Sequence, residues 1–176
     1  MKHLILGGAR SGKSHHAETT GLATGKKLVY IATSQALDDE MQARIQHHQT
    51  SRDARWKTIE EPIELATTLQ KNAATDTCIL VDCLTLWLTN LLLADEATFV
   101  RERDALLNVL PHLAGDILLV SNEVGMGIVP FDPLSRRFVD EAGRLHQQLA
   151  RLCDAVTLVA AGLPLSLKPV RALQIN

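Results

Sequence analysis

Gly7-Gly8-Ala9-Arg10-Ser11-Gly12-Lys13-Ser14 matches the pattern G-x-x-x-x-G-K-[ST], and its surroundings decide how it is read. A short apolar run, residues 4–6, comes directly before it, and residues 14–23 can form a helix after it. In that setting the chain leaves a strand and wraps around a phosphate with successive backbone N–H groups turned inward. Gly7 and Gly12 permit the backbone angles and the close approach that a Cβ would block. Lys13 can reach the outer oxygens of a polyphosphate, and the Ser14 hydroxyl can ligate Mg2+. The helix that follows presents its positive N-terminus to the anion.

Four more apolar runs continue the pattern outward, at residues 28–32, 78–81, 117–120 and 155–160. Each is nearly continuous in Val, Ile and Leu, as strands covered on both faces of a parallel sheet are. Helical segments lie between them. Asp132 followed by Pro133 is a helix start, with a capping carboxylate and proline at the first helical position. Leu134, Phe138, Ala142, Leu145, Leu149 and Leu152 then fall on one stripe. Residues 84–93 are apolar almost all round and read as a buried helix. Asp38, Asp39 and Glu40 open another helix with an apolar edge at Met41 and Ile45. Strands alternating with helices give an α/β P-loop NTPase fold, RecA-like, with a mostly parallel sheet flanked by helices. At 176 residues, one nucleotide-binding domain spanning 1–176 is expected.

Composition removes several function classes. The formal net charge is −2 and aromatics are 3%, so neither a phosphate-backbone footprint nor a base-stacking platform is present, and no nucleic-acid partner is expected. No apolar run approaches the roughly 18 residues of a membrane span, and the N-terminal apolar stretch is too short for a signal peptide, so a cytoplasmic protein without a membrane partner is expected. Cys78, Cys83 and Cys153 are odd in number and lack metal-site spacing, which reads as buried reduced thiols.

Three features stay open on residues alone. Asp82 ends the run 79–82, where a P-loop enzyme needs a metal-side carboxylate, yet it also precedes the 84–93 helix as a cap would. His47 and His48 close the Asp38 helix; adjacent helical residues point about 100° apart and no third ligand is near in the sequence, which speaks against a metal site, and the pair is either solvated or one of them is a nucleophile that carries a phosphoryl or nucleotidyl group as a phosphoramidate. The loop 123–132 carries Val124, Met126, Ile128, Val129 and Phe131, an apolar set that suits a subunit interface or a substrate lid.

Read together, GGARSGKS at 7–14, YIATSQ at 30–35, DDEM at 38–41, RIQHH at 44–48, Trp56-x-Thr58-x-Glu60 and NEVGMGIVP at 122–130 resemble the bifunctional adenosylcobinamide kinase/adenosylcobinamide-phosphate guanylyltransferases of cobalamin biosynthesis. The likeness runs from the first strand to about Gly162. It implies two reactions on a corrinoid: phosphorylation of adenosylcobinamide by ATP or GTP, then transfer of GMP from GTP to adenosylcobinamide phosphate with release of pyrophosphate. It implies Mg2+, a homotrimer, and a guanylylated histidine that carries over to His47. Gly7 to Ser14 would hold the triphosphate. Ala32, Thr33, Ser34, His48, Gln49, Thr50 and Ser51 would line the nucleotide site, and Arg52 would offset phosphate charge. Glu60 would accept the N–H groups of guanine. Ser14 and Asp82 would face the metal. The string Gln49-Thr50-Ser51 departs from the family pattern, and the resemblance gives Glu123 no role. A generic P-loop metabolite kinase would keep residues 7–14 and Asp82 but leave His47 idle; a nucleotide-binding switch would bind without turnover.

Overall fold

The computed structural model describes residues 1–34 and 53–169. In chain order its elements are β1 (Lys2–Gly7), α1 (Lys13–Ala23), β2 (Lys27–Ala32), β3 (Trp56–Glu60), α2 (Leu65–Asn72), β4 (Thr77–Asp82), α3 (Leu84–Ala94), α4 (Glu96–Val109), a 3-10 turn (Leu110–His112), β5 (Asp116–Asn122), α5 (Pro133–Leu152), β6 (Ala155–Ala160) and β7 (Leu163–Lys168). The seven strands form one sheet in the order β3-β2-β4-β5-β1-β6-β7. All neighbours are parallel except β6 and β7.

The apolar runs become the central strands because both of their faces are covered. Leu4 and Leu6 of β1, Ile79 and Val81 of β4, and Ile117 and Leu119 of β5 belong to one core with residues of α2 to α5. The alternate residues Ile5, Leu80, Leu118 and Val120 pack on the other face with Ala17 of α1, Tyr30 and Trp56. Leu4, Ile79, Leu80 and Leu119 are wholly removed from water. Each such side chain contributes about 1.5–3 kcal/mol of apolar burial.

Two strands were not legible as apolar runs. Both are sheet edges, where one flank has no strand neighbour and polar residues are tolerated. β3 reads WKTIE, with only Trp56 fully covered. β7 reads LPLSLK; Pro164 cannot donate to a ladder on both sides, which confines it to an edge. The α5 stripe also needs trimming. Ala142, Leu145 and Leu149 are buried and Phe138 packs on the core, but Leu134 and Leu152 lie open at the helix ends. Asp132 does cap α5, accepting the Ser135 N–H at 2.8 Å. The buried helix appears as α3, with Trp87, Leu88 and Leu91 in the core. The helix read at Asp38 with Met41 and Ile45 lies outside the described residues.

In the apolar loop Val124 packs against the core, whereas Ile128 is 98% and Phe131 100% exposed. The three cysteines are free and buried. Burial first, with Asp116, Asp82 and Asp154 respectively adding to it, pushes Cys78 and Cys83 up to about 11 and Cys153 up to about 12, so none is a thiolate at neutral pH.

Candidate functional site

The parallel strands β1 to β5 end on the same sheet edge, the edge where ligands of α/β folds sit. Gly7, Ala32, Glu60, Asp82 and Asn122 are the last residues of their strands. The register ties them into rungs. Glu60 pairs with Ala32, Ala32 with Asp82, and Asp82 with Val120. Asn122 pairs with Gly7, and Gly7 with Val159. The sequence motif therefore opens onto this edge from the interior of the sheet.

The loop itself is tightly built. A Cβ on Gly7 would stand 2.5 Å from the Val159 carbonyl oxygen and closer still to the Ser11 hydroxyl, so only hydrogen fits there. Arg10 and Gly12 take positive φ, and the Ser11 N–H donates to the Gly8 carbonyl at 3.3 Å. α1 begins at Lys13 with Gly12 as its N-cap, so no side chain covers the first amides, and no acid sits in the first turn. The positive end of the helix is left to an incoming anion. Lys13 is buried and its ammonium donates to the Gly8 carbonyl at 3.3 Å, folded back over the loop it serves. The Ser11 hydroxyl is buried and has no hydrogen-bond partner, an orphan polar group inside the cradle.

A feature not foreseen from the sequence braces this loop. The β6–β7 connection is a two-residue hairpin in which Ala161 and Gly162 both have positive φ, the mark of a type I′ turn. Its Gly162 N–H donates to the Ser11 carbonyl at 2.8 Å. The only sequence signal was Ala161-Gly162 between two short apolar stretches, far weaker than Asn-Gly.

Asp82 does not cap α3. Cys83 is the N-cap residue and the Asp82 Oδ2 instead accepts the Tyr30 hydroxyl at 3.1 Å. That removes the capping alternative. Thr33 is wholly buried; its hydroxyl donates to the Cys83 carbonyl at 2.7 Å and accepts the Cys83 N–H at 3.0 Å. Thr33 is thus a brace between the ends of β2 and β4. Asn90 of α3 completes the brace, donating to the carbonyls of Thr33 at 2.8 Å and Pro62 at 3.1 Å. Ser34 is partly exposed at the same edge, and Glu60 ends the outer strand β3. At the other side Asn122 donates to the Thr85 hydroxyl at 3.0 Å.

His47, His48, Gln49, Thr50, Ser51 and Arg52 lie outside the described residues; of the others, Gly7 to Ser14 follow β1, while Ala32, Glu60 and Asp82 end β2, β3 and β4 at the same end of the sheet, with Ser34 just after β2 and Glu60 four strands away from β1. Among the described residues no group of three or more His, Cys, Asp or Glu could hold a metal by itself.

Residues 3–167 match the family model described as cobinamide kinase / cobinamide phosphate guanyltransferase. The chain is 56% identical over 169 residues to the bifunctional adenosylcobalamin biosynthesis protein CobP of Pseudomonas aeruginosa, covering 96% of this chain and 98% of that protein. It is 44% identical over 182 residues to the bifunctional adenosylcobalamin biosynthesis protein CobU of Salmonella typhimurium, covering 96% and 100%. Among solved structures it resembles a protein of Pyrococcus horikoshii OT3 with a TM-score of 0.57 at 8% identity, covering 97% of this chain and 87% of that one. It also resembles the RadB recombinase, with a TM-score of 0.52 at 17% identity and coverage of 89% and 73%. At such identities the likeness speaks for the fold alone, the P-loop fold expected from residues 7–14.

Proposed function

We propose a division of labour among these residues from one premise: the chain belongs to the cobinamide kinase / cobinamide phosphate guanyltransferase family. It is a bifunctional enzyme of cobalamin biosynthesis, a kinase and a nucleotidyltransferase. The chemistry at each residue is the proposal.

Both reactions act at phosphorus, where positioning and charge neutralisation do most of the work. Gly7, Gly8, Ala9, Arg10, Ser11, Gly12, Lys13 and Ser14 hold the triphosphate of ATP or GTP. The open amides at the start of α1 meet its oxygens, and Lys13 leaves the Gly8 carbonyl to neutralise them. Mg2+ fits the donors present: Ser14 offers a hydroxyl and Asp82 a carboxylate that α3 does not use. Two protein oxygens plus substrate phosphates are the usual way this ion is bound. When bound it would supply charge neutralisation on the polyphosphate. Glu60, Ala32 and Ser34 occupy the edge where a guanine base is read. A carboxylate such as Glu60 accepts the N1–H and N2–H groups that adenine does not present together.

The second reaction takes a covalent course at His47. Its imidazole attacks the α-phosphorus of GTP, pyrophosphate leaves, and the GMP so held passes to the phosphate of adenosylcobinamide phosphate. The observation that supports this is the shared edge: β2 ends at Ala32, at the same end of the sheet as the Gly7 end of β1, and in the sequence His47, His48, Gln49, Thr50 and Ser51 follow from that strand.

The corrinoid is large and partly apolar, which suits a broad groove shared between subunits. The exposed Met126, Ile128, Val129, Phe131 and Leu134, with Leu163, Leu165 and Leu167 along the outer edge of β7, suit contact between copies, and a homotrimer in the cytoplasm, with one domain per chain, is the assembly proposed. No described helix is long and apolar enough to cross a membrane. A corrinoid partner and no nucleic acid complete the reading.

The test is incubation with GTP labelled at the α-phosphorus, then peptide mapping. The expected result is an acid-labile, base-stable label on the peptide containing His47, with pyrophosphate released. Transfer of only the γ-phosphoryl group, with no protein label, would reduce the enzyme to its kinase half.

A further inference from the structure

Glu123 is fixed by its backbone beside the phosphate loop. It follows directly on β5, whose last residue pairs with Gly7, and its N–H donates to the Gly7 carbonyl at 3.0 Å. The side chain is held from two sides. Its Oε1 accepts the Gly125 N–H at 2.7 Å, and its Oε2 lies 3.8 Å from Nδ1 of His146, beyond hydrogen-bond range. His146 is itself locked: it is buried on α5, and its Nε2 and the Ser121 hydroxyl are 2.7 Å apart. With Nε2 accepting from Ser121, the Nδ1 proton faces the carboxylate. About a fifth of the Glu123 side chain remains exposed, enough for one more partner.

The two reactions differ in what they need. The kinase substrate is an alcohol, neutral at pH 7, whose hydroxyl must lose a proton as it attacks phosphorus. The acceptor of GMP is a phosphate monoester, already largely ionised at pH 7 because its second pKa is about 6. Only the first reaction requires a proton acceptor.

Strand order ranks the candidates. Among the strand-end carboxylates, that of Glu123 follows the immediate neighbour of β1. Asp82 ends β4, two strand steps from β1, and Glu60 ends β3, four steps away. At about 4.8 Å per step those strands lie roughly 10 Å and roughly 19 Å from the strand that carries the loop. Asp82 also receives the Tyr30 hydroxyl and is the proposed metal-side carboxylate.

Resting on the two-reaction reading above, we infer that Glu123 is the catalytic base of the kinase reaction alone. The alcohol oxygen bonds to the γ-phosphorus, the bond from that phosphorus to the β-phosphate oxygen breaks, the hydroxyl proton passes to the Glu123 carboxylate, and the nucleoside diphosphate leaves with the electron pair.

The test uses the full-length protein and two assays on one preparation: γ-labelled nucleoside triphosphate with adenosylcobinamide, and α-labelled GTP with pre-formed adenosylcobinamide phosphate. In Glu123→Gln the kinase kcat is expected to fall by about 10²-fold or more, the usual contribution of a general base. Guanylyl transfer and the thermal midpoint are expected to stay close to those of the unsubstituted enzyme. A kinase rate unchanged within a few-fold overturns the inference. So does a parallel loss of both activities in a folded protein, which would make Glu123 part of the shared cradle. Should Glu123→Gln not fold, Glu123→Asp carries the same test: it keeps the charge but draws the carboxylate back by one methylene, and an undiminished kinase rate overturns the assignment. If the unsubstituted enzyme shows neither activity, the two-reaction reading falls first; if it shows both and Glu123→Gln does too, only this inference falls.

Discussion

Substituting Gly7 by Ala adds one methyl group where the structure has least room. The new Cβ would lie 2.5 Å from the carbonyl oxygen of Val159, a backbone atom of β6, and against the Ser11 hydroxyl. The hydroxyl can swing away, but the carbonyl cannot, because Val159 is paired with Gly7 in the sheet and with Pro164 in the hairpin. An ordinary contact requires the two strands, or the start of the loop, to separate by roughly 1 Å, and overpacking of that kind costs about 1–3 kcal/mol. For a chain of this size that lowers the melting midpoint by about 2–4 °C per kcal/mol. The displaced loop also loses the bond from the Gly162 N–H to the Ser11 carbonyl. Nucleotide KM is therefore expected to rise about tenfold or more in both reactions, since 1.4 kcal/mol is a factor of ten in binding. Differential scanning fluorimetry with the two steady-state assays reads all three quantities. An unchanged midpoint together with unchanged KM values would refute the packing of this loop on β6. A rise in KM for one reaction only would refute a single triphosphate cradle.

Two further perturbations address the scaffold. Asn90→Ala leaves the carbonyls of Thr33 and Pro62 without their buried donor, so stability should fall by about 1–3 kcal/mol in chemical denaturation; an unaltered midpoint would deny Asn90 its bracing role. Burial depresses His3, His16 and His146 below 6.5; His16 adds to the effect on His3 and His15 to that on His16, while Glu123 partly opposes it on His146. The unfolded chain then binds protons more readily than the folded one, so the stability from these neutral rings is complete above pH 6.5 and is lost as pH falls below it. Denaturation between pH 7.5 and 5.5 should show this decline, and its slope should lessen in His146→Gln, provided that variant folds; an identical slope would mean that His146 does not contribute to it.

The sheet core and the loop were legible because each rests on a local pattern. A parallel strand covered on both faces must be apolar throughout, so residues 4–6, 78–81 and 117–120 announced themselves. The glycines at 7 and 12 are likewise fixed by backbone geometry within eight residues. What stayed hidden depends on partners distant in sequence. β3 and β7 are edges, where burial does not enforce an apolar pattern. The grip of Gly162 on Ser11 joins residues from opposite ends of the chain. Thr33 stands beside Ser34 in the sequence, and that its hydroxyl bonds to Cys83, fifty positions away, could not be read there. The same holds for His146, which sits in the apolar stripe of α5 because Ser121 and Glu123 stand opposite it.

The proposed enzyme does two phosphorus chemistries with a shared triphosphate loop and a separate imidazole. The most direct measurement is His47→Ala assayed for both reactions on the same preparation. Kinase turnover should persist within a few-fold while GMP transfer and protein labelling vanish. Retention of GMP transfer, or loss of both activities in a folded protein, would contradict it.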